Sequence, residues 1–219
     1  MNIVSRILLV TASLWFAIPV FADDALWRSP IKSVGESAVL ENIASSLQRN
    51  LVLRSDFVQT RTMSFLKKPL VTNGNFIYAK DRGLVWKLIE PYAAVYVVTR
   101  SGIFEYRGNA QEPVQAGGEQ VFRQMGMIFA AIFTADIQEL TKSFDVHFGG
   151  DENLWEIGLK PKKKMIGKLI DRIQVKGSDY VSSIVIHEQS EDTIGIEFAG
   201  MSNTPVELDQ IELEYFEKH

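Results

Sequence analysis

Residues 70–91 read LVTNGNFIYAKDRGLVWKLIEP, two alternating runs around a short polar connection. Leu70, Thr72, Gly74, Phe76 and Tyr78 share one face of the first run, and Leu84, Trp86 and Leu88 share one face of the second. A period of two marks half-buried strands, and Lys80-Asp81-Arg82-Gly83 supplies turn chemistry between them. The stretch is therefore read as a β-hairpin with one aromatic face. That face is either an ordinary core or the wall of a cavity that a ligand enters.

Upstream, residues 37–50 place Leu40, Ile43, Ala44 and Leu47, followed by Leu51, at the spacing of one helical face, which predicts an amphipathic covering helix. Residues 53–65 read as a long strand with Phe57, Gln59, Arg61, Met63 and Phe65 on one side. Downstream, residues 94–99 and 103–106 form a further hairpin around Ser101-Gly102. Consecutive strands joined by short turns imply an antiparallel meander.

The pattern then changes. Residues 109–118 read as a polar loop, and 119–134 as a helix with apolar residues on nearly every side, among them Met125, Ile128, Phe129 and Phe133. Such a helix is buried on more than one side or faces something apolar, and it is too short to span a bilayer. Asp136 caps a short helical turn. Short strands resume at 144–148, 154–159, 172–176, 181–187 and 193–198, with one helical turn near 165–170 and a closing strand at 211–216. The expectation is a mainly β, α+β chain of about ten or eleven strands, with no linker to divide it.

Residues 1–22 carry Arg6, an apolar run from Ile7 to Val20 and small residues before Asp23, the pattern of a signal peptide cleaved after Ala22. An uncleaved anchor is the alternative, disfavoured by the short apolar run. With no cysteine there is no lipobox, so a soluble chain in one domain, 23–219, is expected. Arg6 is the one charged residue of that leader, so its removal takes the net charge from −4 to −5. That balance argues against nucleic acid as a partner. The absence of cysteine excludes disulfides, thiolate metal sites and cysteine nucleophiles, and together with the leader it fits a Gram-negative periplasm.

Three stretches carry a family resemblance. Phe57-Val58-Gln59-Thr60-Arg61, Gly74-Asn75-Phe76-Ile77-Tyr78-Ala79-Lys80 and Leu84-Val85-Trp86 with Pro91 resemble, in order and spacing, three strands of the periplasmic lipoprotein carriers typified by LolA; residues 192–198 are similar to a later strand. The resemblance implies an incomplete, half-open antiparallel barrel covered by a helical lid. It also implies an acylated lipoprotein or other lipid-like cargo, an inner-membrane donor and an outer-membrane acceptor. On this reading Phe57, Met63, Phe76, Tyr78, Leu84, Trp86, Leu88, Met125, Ile128, Phe129 and Phe133 line the cavity and lid. The family commonly has a basic residue followed by proline where this chain has Lys80-Asp81-Arg82-Gly83, so Lys80 and Arg82 are the candidates for a lid latch. Gln59 and Arg61 bond to a lid or head group, or mark the rim where a strand meets water. The basic run at 160–164 is a solvated loop or a contact with anionic head groups or an acidic partner.

Catalytic signatures are absent: the three histidines form no metal-binding pair, and there is no nucleophile elbow, phosphate loop or dinucleotide fingerprint. A monomeric carrier without cofactor, metal or covalent chemistry is the expectation. The alternatives are a non-transporting adaptor or sensor on the same fold, and a lipid-modifying hydrolase.

Overall fold

The computed structural model describes residues 26–28, 30–31, 37–107, 110–113, 126 and 128–217. Eleven strands make one antiparallel sheet: β1 (Val52–Thr62), β2 (Leu70–Ala79), β3 (Gly83–Glu90), β4 (Ala94–Val98), β5 (Ile103–Arg107), β6 (Ala110–Pro113), β7 (Phe144–Gly150), β8 (Trp155–Pro161), β9 (Ile170–Gly177), β10 (Val181–Glu188) and β11 (Thr193–Ser202). Their order is β6-β5-β4-β3-β2-β1-β11-β10-β9-β8-β7, two meanders joined where β11 returns beside β1. β6 and β7 are the two edges, so the sheet stays open rather than closing into a barrel.

Among the described residues five α-helical segments and a 3-10 turn (Leu26–Arg28) accompany it: α1 (Ala38–Leu47), α2 (residue 126 and residues 128–133), α3 (Ile137–Thr141), α4 (Lys164–Gly167) and α5 (Gln210–Glu217). Local chemistry starts α1 and α3. The Ser37 hydroxyl accepts from the Leu40 amide at 3.2 Å, and the Asp136 carboxylate from the Glu139 amide at 3.0 Å. Leu40, Ile43, Ala44 and Leu47 of α1, Ile132 of α2 and Leu140 of α3 are buried in one cluster with the inner-face residues of the sheet, such as Leu53, Phe57, Phe76, Ile157 and Ile184. Three helices thus lie on one face of an open sheet. That cluster is the main core.

The expected hairpin forms, and its register sets Phe76 opposite Trp86, Tyr78 opposite Leu84 and Ala79 opposite Gly83. Its turn needs Gly83: φ is +136°, and a β-carbon there would lie 1.9 Å from the Val98 carbonyl oxygen.

Three expectations are corrected. The strand expected at 211–216 is helix α5. The loop expected at 109–118 contains β6, which pairs with β5 through Phe104–Pro113 to Arg107–Ala110. The long strand ends at Thr62, because the Leu66 amide donates to the Met63 carbonyl and closes a turn.

α5 covers the opposite, outer face. Phe216 and Tyr215, with Leu208, pack on Ala79, Val85 and Val97 in a second, smaller cluster. Arg54 of β1 holds this segment: its guanidinium donates to both Glu212 carboxylate oxygens at 2.6 Å and to the carbonyls of Pro205 and Glu207 at 2.7 and 2.9 Å. Hydrogen bonds from Arg54 hold the Glu212 carboxyl below its usual range, against an opposing effect of burial and with help from the Asp209 amide. A depressed carboxylate contributes stability that is present above its unfolded value near 4.5 and is lost as pH falls through the lower folded value. Arg54 stays charged throughout. Arg54→Ala is therefore expected to cost about 1–2 kcal/mol at neutral pH, the pair being partly solvated. The deficit should shrink in acid denaturation titrations as pH falls through the lowered Glu212 value, towards the residual part that the Pro205 and Glu207 carbonyl contacts supply. A constant deficit across that window would show that Arg54 acts through its carbonyl contacts alone.

Candidate functional site

The aromatic faces of β1, β2 and β3 meet α2 in one stack of rings. Phe57 and Trp86 lie 4.0 Å apart between centroids, and Phe76 sits 5.9 Å from Trp86. From the helix, Phe133 stacks on Phe76 at 4.6 Å and Phe129 on Trp86 at 5.7 Å. Phe198 of β11 closes the group edge-on, 5.4 Å from both Phe76 and Phe133 and 6.3 Å from Trp86. Stacked and edge-on pairs at these separations are favourable beyond the area they bury.

The seam is not uniformly covered. Phe57, Phe76, Ile128 and Phe133 are buried, whereas Trp86, Phe129 and Phe198 are half-buried. Burial falls off along the strands in one direction. On the inner face Leu53 and Phe57 of β1 are buried, but Gln59 and Arg61 beyond them are partly exposed; on β2, Phe76 and Tyr78 are buried while Thr72 and Leu70 are not. The rings are therefore closed off at one end of the sheet and approach water at the other.

The predicted site residues divide accordingly. Phe57, Phe76, Trp86, Phe129 and Phe133 are brought into the stack; Leu84, Leu88 and Ile128 are buried in the same core. Tyr78 is buried at the closed end, and Met63 lies in the turn after β1, partly exposed. Met125 lies outside the described residues. Phe198 was missed as a site residue, though the alternation Ile194, Ile196, Phe198 in its strand carried the signal.

The four candidate latch or rim residues are dispersed. The Arg61 guanidinium pairs with Glu188 of β10 at 3.0 Å, across the partly exposed end of the sheet. Arg82 approaches Glu217 of α5 at 3.8 Å, an exposed pair. Lys80 is exposed in the hairpin turn, its backbone amide bonded to the Leu51 carbonyl at 2.8 Å. Gln59 is partly exposed on the inner face of β1.

At the closed end an open cleft of about 780 Å³ lies between that turn and the helices. Lys80, Arg82 and Arg100 stand at it opposite Asp136 and Thr134, with Tyr78 among its walls. Burial, with the Asp81 and Asp136 carboxylates, raises the Tyr78 phenol above its ordinary value, so it stays protonated at neutral pH and able to donate. Among the described residues no group of histidine and carboxylate side chains is placed to hold a metal, and no helix is long and apolar enough to cross a membrane.

The fold is thus an open antiparallel sheet whose inner face meets helices through an apolar seam of rings. The chain belongs to the family described as outer membrane lipoprotein carrier protein LolA-like, whose model matches residues 31–192. No curated protein sequence matches it. Among solved structures it is similar to a LolA superfamily protein from Nitrosomonas europaea, at 7% identity and a TM-score of 0.44 over 82% of this chain and 98% of that one. It is also similar to the lipoprotein LppX of Mycobacterium tuberculosis, at 9% identity and a TM-score of 0.42 over 78% and 97% of the two chains. A third likeness is to the Pseudomonas aeruginosa MucA/MucB complex, at 10% identity and a TM-score of 0.43, where the chain covers 55% of the matched partner and 74% of itself is covered.

Proposed function

We propose that the protein is a periplasmic carrier that takes the acyl chains of a lipoprotein, or of another amphiphile, between the aromatic sheet face and α2. In this reading it receives cargo at the inner membrane, yields it at the outer membrane, acts as a monomer and performs no covalent chemistry. The observation that carries the reading is the seam itself: Phe129 and Phe133 meet Phe76 and Trp86 through ring faces, and three rings of the group are half-buried. A contact made of apolar side chains can part without breaking side-chain hydrogen bonds, and separating it exposes a surface suited to acyl chains. Each buried CH₂ contributes about 0.8 kcal/mol, so one chain is held firmly yet remains releasable. Membership of the LolA-like family supports the same cargo class.

Native mass spectrometry of protein purified from periplasm, with uptake of a fluorescent fatty acid, tests this. Co-purifying lipid or acylated peptide is expected. Phe129→Glu, at a half-buried position, is expected to lower uptake at least about tenfold while thermal unfolding still shows a cooperative fold, since an acyl chain would then lie against a charge. Equal uptake by the variant would take α2 out of the binding surface. A second reading has its own observation: in this structure the rings fill the seam with the protein's own side chains. An empty spectrum and no uptake would favour that reading, an adaptor or sensor acting through protein contacts.

A further inference from the structure

At the end of the sheet where the seam approaches water, two connections project side chains that the fold leaves unburied. The β1–β2 tip reads Phe65-Leu66-Lys67-Lys68-Pro69-Leu70, with Phe65 76% and Leu70 53% exposed. The β8–β9 connection reads Lys162-Lys163-Lys164-Met165-Ile166-Gly167-Lys168-Leu169, with Met165 46% and Leu169 50% exposed while Ile166 alone turns inward.

Register places both at the same end. Thr62 pairs with Thr193, His187 with Thr193 and Glu188 with Ile170, and the Gln189 amide bonds to the Leu169 carbonyl at 3.0 Å. Three strand spacings, about 15 Å, separate the two tips. The β3–β4 turn joins them there with Tyr92, 59% exposed, beside Ile89.

Charge at this end is net positive. Lys67, Lys68, Lys162, Lys163, Lys164 and Lys168 are all exposed, and none has an ion-pair partner among the described residues. The carboxylates that face them are mostly engaged: Glu188 with Arg61, Asp171 with Arg172, and Asp192 with the Ser64 amide. Glu139 pairs with Lys142, and Glu90 accepts from Asn73. Glu191 remains. A chain that is acidic overall thus gathers its lysines where its large apolar side chains are uncovered.

We propose that this end of the sheet is a docking rim for an anionic phospholipid bilayer. Phe65, Leu66, Leu70, Met165 and Leu169 enter the head-group region, and the six lysines meet lipid phosphates. An acidic protein surface would satisfy the lysines, but it leaves five large apolar side chains on projecting tips without a counterpart; a bilayer answers both at once. The inner faces of β1 and β2 run from this rim to Phe57 and Phe76, so docking would set the open side of the seam against the lipid. The rim rests on its own residues and does not depend on the carrier reading.

Co-sedimentation with vesicles of phosphatidylcholine, with or without roughly one-third phosphatidylglycerol, tests it. Binding is expected to the anionic vesicles only, and to be lost as salt rises to about 0.5 M. The variant with Lys162→Gln, Lys163→Gln and Lys164→Gln is expected to bind about 100-fold more weakly, and Phe65→Ser about tenfold more weakly. Both carry exposed substitutions, so unchanged thermal unfolding is expected, and both are compared with the parent in the same chain so that any contribution of residues 1–22 cancels. Equal binding to both vesicle types, binding to neither, or capture by an acidic protein surface without vesicle binding would overturn the rim. Phospholipid is itself an amphiphile with acyl chains, so Phe129→Glu is run beside the parent: rim docking is expected to be unchanged in that variant, and vesicle binding lost with it would belong to the seam and overturn the rim. Vesicle binding without acyl uptake would therefore keep the rim and remove the carrier, and uptake without vesicle binding the reverse.

Discussion

Gly74→Ala is expected to cost the protein about 3 kcal/mol, one of the largest effects of any single methyl group added to this chain. A β-carbon at this position would stand 2.2 Å from the Lys87 carbonyl oxygen and 2.5 Å from Cζ of Phe57. Neither neighbour has room to move. The carbonyl belongs to β3 beside a step where the β2–β3 register already shifts, from Asn73–Glu90 to Gly74–Leu88. The Phe57 ring lies across Gly74 because the two residues are paired in the β1–β2 ladder, and its other face is occupied by Trp86 at 4.0 Å. An alanine would therefore push Phe57 into Trp86 or force β3 outwards. The measurement is the urea midpoint, with an unchanged slope as the sign that stability alone has moved. A loss below about 1 kcal/mol would mean that the sheet yields at the bulge and that Gly74 is not a condition of the ring stack. The same substitution links fold to site, since displacing Phe57 disturbs the surface on which Trp86 and Phe129 meet.

This glycine also explains why the hairpin was readable from sequence. Residues 70–91 follow a period of two on both strands, have one buried face, and carry their turn chemistry locally in Asp81 and Gly83. The signals that mark them as a hairpin lie within twenty-odd residues, although the close approaches that require Gly74 and Gly83 come from Phe57 and Val98 outside the stretch. The same holds for α1, whose apolar stripe and Ser37 cap are contiguous. The misread segments depend on partners elsewhere. β6 has no alternation of its own, being an edge strand defined by backbone pairing with β5. Residues 211–216 alternate apolar and acidic side chains, which satisfies a strand template. Yet Asp209 and Glu212 form a reciprocal cap, 2.8 and 2.9 Å between each carboxylate and the other residue's amide. That aspartate-x-x-glutamate signal was present in the sequence and outweighs the alternation. For the site, the rings were legible as an apolar surplus, but their convergence was not. Phe198 joins Phe57 only because β11 returns beside β1, a pairing between residues 141 positions apart. The dispersal of Arg61, Lys80 and Arg82 was likewise invisible, because their partners Glu188 and Glu217 are distant in sequence.

On the proposed carrier reading, locking α2 to the sheet should abolish uptake, and the chain offers a place to do so. Gly126 is buried against β4, and a β-carbon built there lies 3.1 Å from Cβ of Val98. Disulfide-bonded residues place these atoms about 3.5–4.5 Å apart, so a few tenths of an ångström of relaxation lets Gly126→Cys and Val98→Cys be joined. The chain has no cysteine of its own, which leaves the engineered pair as the only thiols to oxidise. The oxidised double variant is expected to unfold at a temperature no lower than its reduced form, yet to take up no fluorescent fatty acid. Reduction should restore uptake, and Val98→Cys alone should respond to neither treatment. The comparison separates two mechanisms that Phe129→Glu does not. A charge placed in the seam disfavours an acyl chain whether or not the helix moves, whereas the crosslink leaves every ring in place and removes only the motion. If the oxidised protein takes up lipid as well as the reduced one, cargo enters without α2 leaving β4. Entry would then run along the uncovered inner faces of β1 and β2, past Gln59 and Thr72, with Trp86 and Phe198 as the first rings met. α2 would in that case be a fixed wall of the seam and not its lid.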